Sequence, residues 1–131
     1  MAGATRGPTS YTSFYTRRTT LTTRREELKK VVRGLYRTQK WLHASPPEAI
    51  AEVIQSFFPA VSAALLQAAI ARYLELGIWD GNPILPRGGY ERLRAGLISA
   101  RFVKQAAPFE QAVDNTLAEE VVRDDPPALE G

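Results

Sequence analysis

The residues of this chain that could do chemistry are few. His43 is the single histidine and there is no cysteine, so no two-histidine or thiolate metal site can form and no cysteine nucleophile exists. Near the end of a helix, His43 suits capping or packing better than catalysis. Glu48, Glu52 and Glu75 fall on outward-looking faces, and no two of them are spaced as a general acid–base pair. Arg25, Lys29, Arg33 and Arg37 recur every four residues and form one cationic helix face. Such a face can bind phosphates, but it is more often a solvated outer surface. No glycine-rich phosphate loop or zinc-finger spacing accompanies it, so nucleic acid is not an expected partner. Trp41 and Trp79 sit beside apolar stripes and are expected to pack in the core, with a ligand pocket as the rarer use. Asp114-Asn115 is a polar pair inside an apolar frame, suited to hydrogen-bonding a neighbouring backbone. Nothing here assembles an active site, and the chain reads as a non-enzyme without metal or cofactor.

The elements that must position these residues are mainly helical. The spacing predicts about five helices after one short strand, Tyr11–Thr16, whose aromatic and β-branched residues favour extended backbone. The longest helix is expected to open at Thr22-Thr23, with Thr23 and Glu26 as a capping box, and to reach about Ala44. Leu28, Val31, Val32, Leu35, Gln39 and Leu42 would form its inward stripe. Ser45 and Glu48 repeat the capping-box spacing ahead of a second helix, with Pro46 at its first position and Ile50, Val53, Ile54 and Phe57 inward. Ser62 caps a third, Val61 staples onto Leu66, and Gly77 ends it in a left-handed conformation. Its stripe of Leu65, Leu66, Ala69, Ile70, Tyr73, Leu74 and Leu76 is wide enough for burial on two sides. A fourth helix spans Pro86–Ser99, and a fifth runs from Pro108 to about Val122 through Phe109, Val113 and Leu117. Residues 1–8 read as a flexible lead-in, 9–122 as the folded segment and 123–131 as a disordered tail.

The chain has 131 residues, 44% of them apolar, and a net charge of +3. That is one domain at most, with a single core. Bases crowd between Arg17 and Lys40 and acids follow Asn115. No run approaches the length of a membrane span, and the start lacks the apolar core of a secretory signal, so the chain as written is expected to be cytoplasmic.

Six segments in a fixed order carry a resemblance. They are Tyr11–Thr16, Leu35–His43, Phe57-Phe58-Pro59, Ala69–Tyr73, Leu76–Trp79 and Val113–Ala118. Together they resemble the C-terminal part of ABC-transporter substrate-binding proteins of the nitrate/sulfonate/taurine type, in the superfamily that includes the thiamine-pyrimidine-synthase-like proteins. The match runs from about Gly7 to Val122 and departs from the family at Arg101, where a glycine is expected before Phe102. The resemblance implies the last portion of a type II periplasmic-binding fold, in which two α/β lobes close on a solute. It implies a fragment or truncated form of a solute-binding component for a small nitrogen- or sulfur-containing solute, with ABC permease subunits as partners and a periplasmic or membrane-associated location for the full-length protein. Tyr11 and Thr12, near the lobe crossing, are the candidate ligand residues. The alternative is a free-standing helical interaction module using Arg25, Lys29, Arg33 and Arg37. An enzyme related to pyrimidine synthesis has least support, His43 being isolated. A fragment would leave apolar faces in water, so self-association is expected.

Overall fold

The computed structural model describes residues 7–10 and 12–130. Among them the backbone forms seven α-helices, one 3-10 turn and no strand. The mainly helical expectation holds. The strand does not: Thr12–Thr16 is irregular and exposed, and Tyr11 lies outside the described residues. A strand needs a neighbour for its N–H and C=O groups, and the described residues offer none, so propensity alone does not make one.

Helix α1 (Arg18–Thr23) and helix α2 (Arg25–Ala44) are separated only by Arg24, whose backbone (φ −126°, ψ 34°) leaves the helical region. The capping box at Thr23 does not form. Thr22 and Thr23 donate their hydroxyls back to the carbonyls of Arg18 and Thr19, at 3.1 and 2.9 Å, and so belong to α1. Arg24 pairs instead with Glu27, and Glu26 and Glu27 place negative charge against the N-terminal dipole of α2. Leu28, Val32, Leu35, Gln39 and Leu42 of the expected inward stripe are half-buried, and the stripe differs at two positions. Tyr36 is the buried residue of α2, whereas Val31 is 53% exposed.

Helix α3 (Pro47–Ile54) begins one residue later than its sequence spacing predicts. Pro47 takes the first helical position, Pro46 is the N-cap, and Ser45 makes no cap. Ile50 and Ala51 are buried, while Val53 and Phe57 face outward. The 3-10 turn Gln55–Phe57 is tied down by the Gln55 amide, which donates to the carbonyls of Phe58 and Val61. Helix α4 (Ala63–Glu75) starts where predicted: the Ser62 hydroxyl accepts from the Leu65 N–H at 3.3 Å. Leu66 and Ile70 join Ile50 and Ala51 in the main cluster, with Val61, Leu74 and Trp79 packed against it. Leu65, Tyr73 and Leu76 stay exposed, so α4 is covered on one side only. Its end is a Schellman motif, with Gly77 at φ 60° and the Ile78 N–H bonded to the Tyr73 carbonyl.

Helix α5 (Arg87–Ser99) follows N-cap Pro86. Gly89 is buried because the lead-in rests on it: a Cβ there would lie 2.4 Å from Ser10 Oγ. Arg92 fixes the same segment by donating to the Pro8 carbonyl at 2.6 Å. The single fifth helix of the sequence pattern is two, α6 (Phe109–Ala112) and α7 (Thr116–Asp124). Asn115 makes the break. Its amide donates to the Leu85 carbonyl at 3.1 Å and its oxygen accepts from the Leu85 N–H at 3.0 Å, while Asp114 accepts from Thr116. Helix α3 packs on α4, α2 on α7 and α5 on α6. Leu117, Ala118 and Val121 supply the buried face of α7.

Beyond Asp124 there is no helix, yet residues 125–130 run along α2 as a strap. Asp125 turns the chain at φ 44°, and Pro126 is fully buried. Arg37 donates to the carbonyls of Pro127 and Ala128, and Lys40 to that of Pro126 at 2.8 Å.

Candidate functional site

Of the ligand residues expected from sequence, Tyr11 lies outside the described residues and Thr12 is exposed on an irregular stretch. The cationic face of α2 is placed more informatively. Arg25 pairs with Glu120, and Lys29 lies 3.5 Å from Glu120 and 3.1 Å from Asp124. Arg37 and Lys40 hold the strap, Lys40 also pairing with Asp125. Arg33 is exposed at the centre of the row. The basic stripe and the acidic C-terminal segment, separate features of the sequence, thus form one clasp between α2 and α7. Its charges are perturbed accordingly. The hydrogen bond from Arg25 holds the Glu120 carboxyl below its ordinary value, with help from Lys29. The hydrogen bond to Asp124 raises Lys29 above its own. Asp114 is lowered by its bonds to the Thr116 hydroxyl and N–H.

Beside this clasp lies an apolar recess of about 510 Å³. Trp41 and Leu42 of α2, Ile50, Val53 and Ile54 of α3, and Trp79 line it. Ile50, only 1% exposed, belongs to the main cluster and forms the floor. The strap contributes Leu129 and Glu130, and Thr38 completes the lining with a hydroxyl already donated to the Gly34 carbonyl at 3.0 Å. Trp79 is fixed from two directions. His43 Nε2 donates to its carbonyl at 3.0 Å, and its ring meets Tyr73 edge-on at 5.6 Å. The histidine is therefore structural, tying the C-terminal end of α2 to the loop that follows α4. Gln39 reinforces the tie by donating to the Asn82 carbonyl at 3.1 Å.

The recess is almost wholly apolar, and Glu130 is the one charged residue along it. The sequence flags both tryptophans beside apolar stripes but brings neither to the other. That they line one recess goes with the ties from His43 and Gln39 to the loop after α4, which local patterns do not reveal. Among the described residues no group of three or more His, Asp or Glu side chains could hold a metal ion. Glu48 and Glu52 are exposed, and Glu75 pairs with Arg72 at 2.6 Å. No described helix is long and apolar enough to cross a membrane.

No protein-family model matches this chain, and no solved structure matches it. Among curated proteins it is similar to one named "Putative binding protein YtlA" from Bacillus subtilis (strain 168), at 22% identity over 119 residues. That similarity extends over 91% of this chain and 36% of the relative, so the chain spans about a third of the protein it matches. It points to a binding protein at low identity.

Proposed function

We propose that this chain is part of the solute-binding component of an ABC uptake transporter, of the kind that takes small nitrogen- or sulfur-containing solutes such as nitrate, sulfonates and taurine. The observation that carries the reading is the run of similarity along 91% of the chain to a longer relative, named "Putative binding protein YtlA", of which the match covers 36%. The surface is consistent with it. Phe14, Tyr15, Phe57, Leu65 and Phe102 are each more than 60% exposed, a pattern suited to faces that a larger protein covers. In such a protein no bond is made or broken. Two lobes close on the solute, the membrane subunits of the transporter are the partners, and the complete protein works in the periplasm or at the membrane.

The basic-face alternative has less to draw on, since Arg25, Lys29 and Arg37 are already engaged within the chain. Immunoblotting of source cells with an antibody against α3–α4, then calorimetric titration of the recovered polypeptide with taurine, methanesulfonate and nitrate, tests the proposal. The expected result is a polypeptide longer than 14.5 kDa that binds at least one of the three. A 14.5 kDa product, or a longer one that binds none, overturns it.

A further inference from the structure

We propose that α7 and the strap after it dock on α2 of a second copy of the chain as well as on their own, giving a reciprocally exchanged dimer with Val113–Asn115 as its hinge. What covers α2 is known, because the contacts are those already made within one chain. No ligand takes part, so the inference stands apart from the solute-binding reading.

The element that changes places is separable. The main cluster of Ile50, Ala51, Leu66 and Ile70 takes Trp41 and Leu42 of α2 against it, and no residue of α7. Leu117, Ala118 and Val121 are buried in α7, which packs on α2. Along that seam Arg25 pairs with Glu120, Lys29 with Glu120 and Asp124, and Lys40 with Asp125, while Arg37 and Lys40 hold the strap. Each of these contacts joins α2 to a residue at least 85 positions later. Nothing in their chemistry requires a single chain, and a two-fold pair of chains satisfies every one of them twice.

The hinge has two ways to satisfy itself. Phe109, Val113, Leu117 and Val121 recur at four-residue steps from α6 into α7, the spacing of one continuous helix. The chain leaves that helix at Val113, whose backbone is extended (φ −115°, ψ 131°). Side chains hold the break: Asn115 bonds both backbone groups of Leu85, and Asp114 accepts from the N–H and hydroxyl of Thr116. Straightened, residues 109–124 exchange those bonds for helical backbone ones and form a rod of about 24 Å. A straight rod has no turn by which α7 could return to its own α2, which leaves the α2 of a second copy. Short hinges favour exchange of this kind. The choice between the two partners is made as the chain folds, α7 being its last helix, so no contact of the folded chain has to break.

Charge reversal in the full chain tests the exchange. One variant carries Arg25→Glu with Lys29→Glu, the other Glu120→Lys with Asp124→Lys. Within either variant the clasp sets like charges together, so each alone should melt below wild type. Refolded together from urea, an exchanged heterodimer places the acidic α2 of one against the basic α7 of the other, in both directions. Native mass spectrometry should show that heterodimer at about 29 kDa, twice the 14.5 kDa chain. It should exceed the dimer of either variant alone by at least about fivefold, and its melt should return towards wild type. A mixture that behaves as the sum of its parts overturns the proposal. The hinge is tested separately. Asp114→Pro follows an extended residue, as proline prefers, but in a straight helix it would lack an N–H and clash with the Glu110 carbonyl. Placed in both partners, it should remove the heterodimer. Asn115→Ala in the otherwise unchanged chain releases Leu85 and should raise the dimer fraction. A heterodimer that survives Asp114→Pro, or a dimer fraction unmoved by Asn115→Ala, means association through net charge or exposed apolar surface and overturns the hinge.

Discussion

Arg101 occupies, at φ 60°, the same station after α5 that Gly77 occupies, also at φ 60°, after α4. The hydrogen bonds match pair for pair. Gly77 and Ile78 donate to Leu74 and Tyr73, and Arg101 and Phe102 donate to Ile98 and Leu97. Both ends are Schellman motifs, but only one has the residue that suits the left-handed turn. Arg101 is also where the family resemblance expects glycine, so that departure coincides with a backbone conformation that favours one.

Replacing Arg101 with Gly is therefore expected to stabilise the chain by about 1 kcal/mol, by removing the Cβ penalty of the left-handed region. Gly77→Ala should cost a similar amount. A Cβ at Gly77 would meet nothing within 4 Å, so the loss would come from the dihedral alone. Thermal melts followed by circular dichroism check both, with shifts of opposite sign and about 2–5 °C.

Asn115→Ala should be the more damaging change, by about 2 kcal/mol. It strands the N–H and C=O of Leu85 together at a part-buried position. Asn115→Asp keeps the acceptor and loses the donor, so its loss should be smaller. Urea unfolding of the three proteins orders them, and equal midpoints for wild type and Asn115→Ala would refute the bridge.

Stability should depend on pH through the α2–α7 clasp. Glu120 is depressed in the folded chain, so its contribution is fully present above its ordinary value of 4.5 and is lost as pH falls through its lower folded value. Asp114 acts in the same sense below its ordinary 3.8. Lys29 is raised, so its contribution is full below 10.5 and is lost as pH rises through its higher folded value. Tm should therefore be level near neutrality and fall at both extremes. In Glu120→Gln the acid limb should be shallower, and salt should lower the wild-type plateau towards that of the variant. An acid limb unchanged in Glu120→Gln would show that the clasp does not contribute.

The isolated chain should self-associate. Phe14 and Phe102 are about four-fifths exposed, Tyr15 almost wholly so, and the buried apolar residues are few. At roughly 25 cal/mol per Å², a few hundred Å² of apolar surface left in water forfeits on the order of several kcal/mol, comparable with the stability of a small domain. Light scattering after size exclusion should give dimers or larger species, with binding of a dye that reports exposed apolar surface. A monodisperse monomer that melts sharply and binds no dye would show that the chain closes its own core.

What could be read from the sequence was local. Ser62 and Gly77 do what their types dictate, because a cap and a left-handed terminator each depend on a few neighbours. Thr23 fails as a cap because the residues before it are themselves helical and capture its hydroxyl. Phe109, Val113 and Leu117 keep helical spacing across a break set by Asn115 reaching Leu85, thirty residues away. The cationic row on α2 is plain in the four-residue spacing, but its partner on α7 is not. The recess is further still from local pattern, since its strap is placed by Arg37 and Lys40 bonding to residues 85 to 91 positions later.

That same clasp sets a timetable for synthesis. About seventy residues separate the end of α2 from the start of α7, while α3 and α4 are joined by a short turn. Chains grow at roughly 5–20 residues per second, so α2 waits on the order of 4–14 s for its acidic partner after it has been made. Through that interval Arg25 and Lys29 lack their acidic partners on α7, close to the anionic surface of the ribosome. The α3–α4 pair can close first, and α2 gains its partner only when α7 returns to it.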